Sequence, residues 1–306
     1  MTNSSLMKRI YKYRIMYMFL LPAVVFCLVF CYRPMVGVIM AFQKYDLVRG
    51  MFHSPFVGFA NFTEFLTNPD FYTALKNTLG LNILSILIGF PLPIALSILI
   101  FSMRDTIFKK VTQTISYLPH FISWVVVAGM MYKILDQDSG ILNIIIRGLG
   151  GESIPFMREA SYFWTVIITT AIWKELGWNT IIYLAALSSI DVEQYEAATV
   201  DGSTGFQKMI YITLPGLAPV IGLMLIFTMG SLVSSSSISL DAIYNMRNPL
   251  VSSASDTLDY FIYQQGVMKV KYGYSAAMGL TQSIIALFLV LGSNSISRRI
   301  RGYGAF

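Results

Sequence analysis

Lys174 and Glu175 are two opposite charges side by side in the middle of 161–188, a stretch that is otherwise apolar or neutral. An ionised side chain deep in an apolar span costs about 2.5 kcal/mol or more, so such groups face a bundle interior or a water-filled cavity. Adjacent residues leave a helix in different directions and pair poorly with each other. Glu175 instead shares a face with Asn179 and Tyr183 at i, i+4 and i+8, while Lys174 shares another with Trp178. One reading is that one of these faces lines a path for a polar solute. The other is that the pair ties helices together through salt bridges or carbonyl contacts. His120 follows Pro119 near the start of another apolar stretch and reads as a packed histidine, with a pH-sensitive gate as the alternative. Cys27 and Cys31 stand four apart in the first apolar run with no His or acid at ligand spacing. They read as buried, apolar-like thiols and not as metal ligands. An enzyme would need converging His, Asp, Ser or Cys groups, and the chain has only two histidines, far apart, and no acid pair on one span face. A Gly-x4-Gly-Lys-Ser/Thr loop for nucleotide phosphates is also missing, so nucleotide hydrolysis is not expected of this chain.

The elements that must position these groups follow from the charge distribution. The chain of 306 residues is 55% hydrophobic and 12% charged, against roughly a quarter charged in ordinary soluble domains. Uncharged stretches cover 15–32, 77–103, 111–132, 209–240 and 272–297, and a bilayer core takes about 20 helical residues. With 161–188 they predict six helical spans, at 15–42, 76–103, 111–134, 161–188, 214–238 and 272–297, in one all-α transmembrane domain over 1–306. The first lacks a small-x-small cleavage site and reads as retained. Pro91 and Pro93 predict a kink in the second. Lys8, Arg9, Lys12, Arg14, Arg104, Lys109, Lys110, Lys208, Arg298, Arg299 and Arg301 crowd against span ends on four short segments, which favours N-in and C-in. The net charge of +6 is thus a topology signal, and no groove-reading motif points to nucleic acid.

That orientation leaves the polar block 189–213 in the cytosol, between the fourth and fifth spans. Asp191 is placed to cap a helix over 192–199, with Gln194 three residues on as in a capping box. Ala197 and Ala198 keep its surface low, and Glu196 offers a charge to a partner. Asp201-Gly202 is a turn in which Gly takes a positive φ. A second helix over 204–212 carries Phe206, Met209 and Ile210 as an apolar stripe, and Leu214-Pro215 opens the fifth span. The product is a two-helix knob rooted in two membrane helices.

Glu196-Ala197-Ala198, then Gly202, then Ile212, Leu214 and Pro215 reproduce the spacing E-A-A-x3-G-x9-I-x-L-P. This block resembles the coupling loop of ABC-importer permeases. Tyr117–Trp124, Trp173–Thr180, Asn248-Pro249-Leu250 and Tyr272–Arg299 extend the resemblance over nearly the whole chain. It is similar to type I importer permeases of the methionine- and maltose-transporter class, in the carbohydrate branch, among lipoprotein-B-like oligosaccharide permeases. Ser203 stands where the family usually has Ala, and Ser234–Ser237 is more polar than the branch. The resemblance implies a multi-pass subunit of the bacterial cytoplasmic membrane that is not itself an enzyme. It also implies a second homologous permease, two cytosolic ATPases holding the ATP and Mg, and an extracellular solute-binding lipoprotein. No cofactor is expected in this chain, and the expected cargo is an oligosaccharide or complex glycan. A pyranose has an apolar face and a polar rim, suited to aromatic, amide and hydroxyl partners. Trp173, Lys174, Glu175, Trp178, Asn179, Tyr183, Ser231, Ser235, Gln282 and Ser283 are the candidate path residues. A permease for a non-sugar solute, or an ion-coupled carrier, is the alternative.

Overall fold

The computed structural model describes residues 11–234 and 238–301. Its regular elements are helical, apart from one isolated antiparallel bridge between Gln43 and Phe56. Among the described residues four helices are long and apolar enough to cross a membrane: Arg14–Phe42, Pro69–Ser102, Gly205–Gly230 and Tyr272–Arg299. A bent pair, Ile107–Phe121 with Trp124–Ile134, counts as a fifth if it is one span. The helix Ala160–Leu187, of 28 residues, is long enough but lies outside that set. Lys174, Glu175 and Asn179 make it less apolar than the others.

The chain divides into two compact units, one of residues up to Thr67 with Tyr263–Thr281, the other of Asn68–Ile262 with the remainder from Gln282. In the first, Arg14–Phe42 runs through a wide turn at Cys27–Tyr32, just before Arg33-Pro34. Proline lacks the N–H that an α-turn needs, so the register widens ahead of it. Cys27 and Cys31 are exposed on this helix, where the sequence suggested burial. No other helix of the unit covers it, since no residue of Arg14–Phe26 is buried. The end of the helix is closed by Asn61, whose Nδ2 donates to the carbonyls of Ala41 and Gln43 at 2.8 and 3.0 Å. Rings of Phe42, Phe56, Phe59, Phe62 and Phe65 pack over this turn.

The second unit is built around Ala160–Leu187, which packs against Pro69–Gly89, Pro91–Ser102, Ile107–Tyr117 and Leu214–Gly230. Its buried face at Phe163, Val166, Ile167, Ile168 and Ala171 meets Leu81, Ala128, Ala242, Ile243 and Met246 in the main core. Pro91 and Pro93 interrupt the helix before them at Phe90 only. Between 118 and 123 the chain bends by 99° where the sequence reads as one helix over 111–134. Pro119 tightens the turn there, and the Ser123 hydroxyl caps the helix that follows at Val126 N. The polar residues of Pro69–Gly89 secure loops. Asn77 Nδ2 donates to the carbonyls of Ser253 and Asp256, and Thr78 Oγ1 accepts from Leu258 N. Asn82 Nδ2 reaches the carbonyls of Ser231, Leu232 and Ser234 where the helix Leu214–Gly230 ends. Small polar groups in apolar surroundings thus complete backbone hydrogen bonds that lipid could not.

Candidate functional site

Gly177 lets the central helix approach the turn carrying His120. A Cβ there would lie 1.9 Å from the Ser116 carbonyl oxygen, so only glycine admits this crossing. Beside it, Lys174 is 4% exposed. Its Nζ donates to the His120 carbonyl at 2.5 Å, stands 3.3 Å from Glu175 Oε1 and lies over the Trp124 ring. Glu175 Oε2 is 2.7 Å from His120 Nδ1. The His120 ring stacks on Trp178 at 4.2 Å with the planes 2° apart. One expectation is corrected here. Lys174 and Glu175 do pair, the long flexible lysine stem allowing its Nζ to come within 3.3 Å of its neighbour's carboxylate. His120 is packed as expected, one face on Trp178, and its Nδ1 also meets a carboxylate. The clue available in sequence was that a glutamate in an apolar span needs a donor, and the histidine sits at a proline break.

Next to this cluster lies a cavity of about 490 Å³ lined by Ser85, Glu175, Asn179, Tyr183, Thr228, Ser231 and Ser239 together with Phe90, Trp124 and Phe227. Of the sequence candidates, Glu175, Asn179, Tyr183 and Ser231 meet there. The face at 175, 179 and 183 therefore opens on one space. Lys174 is a tie to the His120 backbone. Trp173 and Trp178 are outside the lining and more than 40% exposed. Gln282 is spent on the Val233 carbonyl and Asp259 Oδ1, and Ser283 is exposed. Ser235 lies outside the described residues. Sequence reasoning missed Ser85, Phe90, Trp124, Phe227, Thr228 and Ser239. Thr228 was findable as the residue three before Ser231, whereas Ser85, Trp124 and Ser239 depend on tertiary contacts.

The block after the central helix is ordered by its own polar residues. Asp191 caps the helix Val192–Val200 by accepting from Glu193 N at 3.0 Å. The capping box expected at 191–194 lies at Thr204 and Gln207 instead. Gly202 has a φ of +72°. Ser203 N donates to Ala198 O at 2.9 Å and Gly202 N to Thr199 O at 3.1 Å, the paired closure of a helix end by a left-handed residue. The second helix does not stop before the membrane. It continues from Gly205 through a wide turn at Met209–Thr213 into Leu214–Gly230. Pro215 withholds its N–H, and Thr213 Oγ1 donates to the Lys208 carbonyl at 3.3 Å. Lys208 Nζ donates to Thr199 Oγ1 at 2.7 Å, and the hydroxyls of Tyr195 and Thr213 are 3.0 Å apart. Ile190 covers Gly216, where a Cβ would lie 2.5 Å from its Cδ1. Glu196, Ala197, Asp201, Gly202 and Pro215 are exposed, while Ala198, Ile212 and Leu214 are partly buried. Val192, Val200 and Phe206 expose large apolar surfaces on the same knob.

A multi-pass helical membrane protein with a cavity of mixed polar and apolar lining between its helices, and a knob joining two of the cavity-lining helices, is the class these features define. The model of the family described as binding-protein-dependent transport system inner membrane component matches residues 88–302, and the chain belongs to that family. It is 39% identical over 291 residues to the protein LplB of Bacillus subtilis (strain 168), covering 95% of this chain and 91% of the relative. It is 35% identical over 301 residues to the polygalacturonan/rhamnogalacturonan transport system permease protein YteP of the same organism, covering 98% and 93%. Among solved structures, a chain of a bacterial alginate ABC transporter in complex with an alginate pentasaccharide-bound periplasmic protein matches with a TM-score of 0.88. That chain is 35% identical, and the match covers 97% of this chain and 99% of that one. The protein is thus an ABC-importer permease of the type I fold.

Proposed function

We propose that this chain forms half of a carbohydrate path through the bacterial cytoplasmic membrane and is driven by separate ATPases. It crosses six times with both termini inside, the polar helix Ala160–Leu187 being the span that hydropathy alone passes over. A second homologous permease completes the path. Two cytosolic ATPase subunits carry the ATP and Mg, and an extracellular lipoprotein delivers an oligosaccharide or larger glycan. The relatives named for polygalacturonan/rhamnogalacturonan and alginate support the cargo class.

The observation that carries the mechanism is that the helices entering and leaving the knob both wall the cavity. Glu175, Asn179 and Tyr183 lie on the first, and Met224, Phe227, Thr228 and Ser231 on the second. Tyr183 stands four residues, a rise of about 6 Å, before the end of that helix at Leu187, and a short turn at 188–190 joins it to Asp191. Force applied at Glu196 and the low surface of Ala197 and Ala198 passes through Tyr195–Thr213, Lys208–Thr199 and Ile190–Gly216. Two walls then move as one body, which is how a cavity changes the side to which it opens.

The test is uptake by the reconstituted transporter. Glu196→Ala removes the docking charge, and Gly202→Val places a branched residue at positive φ at a cost of about 1–2 kcal/mol. Both variants are expected to reach the membrane in native amounts while uptake is lost. Unimpaired uptake by both, or uptake without a bound ATPase, refutes the coupling role.

A further inference from the structure

Glu175 is the one formal charge among the described residues lining the cavity. The nearest cation is turned away from that space. Lys174 Nζ is buried against the His120 carbonyl, Glu175 Oε1 and the Trp124 ring. The second carboxylate oxygen meets His120 Nδ1. A carboxylate has about four acceptor positions, so each oxygen keeps one for a hydroxyl donor from the cavity side. Two of the hydroxyls there are also committed as donors. Thr228 Oγ1 donates to Met224 O and Ser231 Oγ to Thr228 O, which leaves their oxygen lone pairs free to accept. Glu175, Thr228 and Ser231 thus present acceptors, Asn179 and Ser239 add neutral donors but no cation, and Trp124, Phe90 and Phe227 are apolar walls.

We infer that this half of the path selects uncharged glycans, and that Glu175 is the residue that turns acidic ones away. A neutral oligosaccharide brings O–H donors to the acceptors and C–H faces to the rings. A uronate brings carboxylates that must give up water with no cation facing them, and one of them meets Glu175. This rests on the carbohydrate reading above and departs from both relatives whose named cargo is acidic, the polygalacturonan/rhamnogalacturonan permease and the alginate transporter.

The experiment uses the complete transporter in lipid nanodiscs without the binding lipoprotein, at neutral pH. One probe is a galacturonate pentamer. The other is the same pentamer with its carboxyls reduced to hydroxymethyl groups, so that linkage and length are unchanged. Calorimetry is expected to show the reduced pentamer binding at least about tenfold tighter, which is about 1.4 kcal/mol. Glu175→Gln is expected to narrow that gap to under about threefold by strengthening uronate binding. Should the single variant fail to assemble because Lys174 is left unpaired, Lys174→Met/Glu175→Gln removes both ions together and is expected to narrow the gap likewise. Equal or tighter binding of the uronate by the native protein overturns the inference, as does an unchanged gap in the assembled variants. Binding of neither pentamer defeats the carbohydrate reading itself and the inference with it.

Discussion

Replacing Gly177 by alanine tests the crossing on which the site depends. The added Cβ would lie 1.9 Å from the Ser116 carbonyl oxygen and 2.3 Å from its carbon, where 3.4 Å is ordinary contact, so the two backbones must part by about 1.5 Å. Neither neighbour is a flexible side-chain tip that can swing aside. Overpacking of this kind costs about 1–3 kcal/mol. At roughly 2–4 °C per kcal/mol for a chain of this order, the thermal midpoint should fall by several degrees. The same displacement carries the Leu118–Phe121 turn outward, and a 2.7 Å contact between His120 and Glu175 does not survive a separation of about 1.5 Å. Thermal unfolding of the purified transporter in detergent is the assay. Gly129→Ala is the reference, because a Cβ at Gly129 meets nothing within 4 Å and alanine favours a helix over glycine by about 0.5–1 kcal/mol. If the two variants unfold at the same temperature, the close crossing does not exist.

Two further outcomes follow from polar groups away from the cavity. Asn82→Leu leaves the carbonyls of Ser231, Leu232 and Ser234 without their shared donor. It should lower stability by about 1–3 kcal/mol, read as a lower thermal midpoint than that of Ile83→Leu, an apolar swap at an exposed position of the same helix. An unchanged midpoint would show that these carbonyls find other donors. In the loop after Ile134, the backbone N–H of Ser139, then its hydroxyl, hold the Asp136 carboxyl below its ordinary value of 3.8. A depressed carboxylate stabilises this turn above the ordinary value and loses that contribution as pH falls through the lowered one. Protection of the Ser139 amide from hydrogen exchange should therefore be constant above about pH 5 and decline below about pH 4, and Asp136→Asn should abolish that decline.

What was legible in the sequence was local. The helix after Asp191, the turn at Gly202 and the face shared by Glu175, Asn179 and Tyr183 need only nearest neighbours, glycine chemistry and helical spacing. The errors lie where that stops. The capping box expected at 191–194 does not form, since Asp191 accepts from Glu193 N alone, and the reciprocal pair of hydroxyl and amide stands at Thr204 and Gln207, which the sequence reading passed over. Lys174 and Glu175 were read as diverging because spacing describes where a Cβ points and not where a long flexible stem ends. Trp173, Trp178 and Gln282 carry the chemistry a path would use but do not line this cavity: the two tryptophans are partly exposed elsewhere and Gln282 is bonded to Val233 and Asp259.

From the amino-acid order alone came a helical membrane protein with an exposed two-helix knob, since apolar length, charge clusters and Gly and Pro positions act over a few residues. Tertiary structure alone decided which polar groups share a cavity, and that Lys174 ends buried beside His120 while Glu175 looks inward. The reason is that helix rotation and separation are set by packing between segments distant in sequence, above all where Gly177 lets two backbones touch.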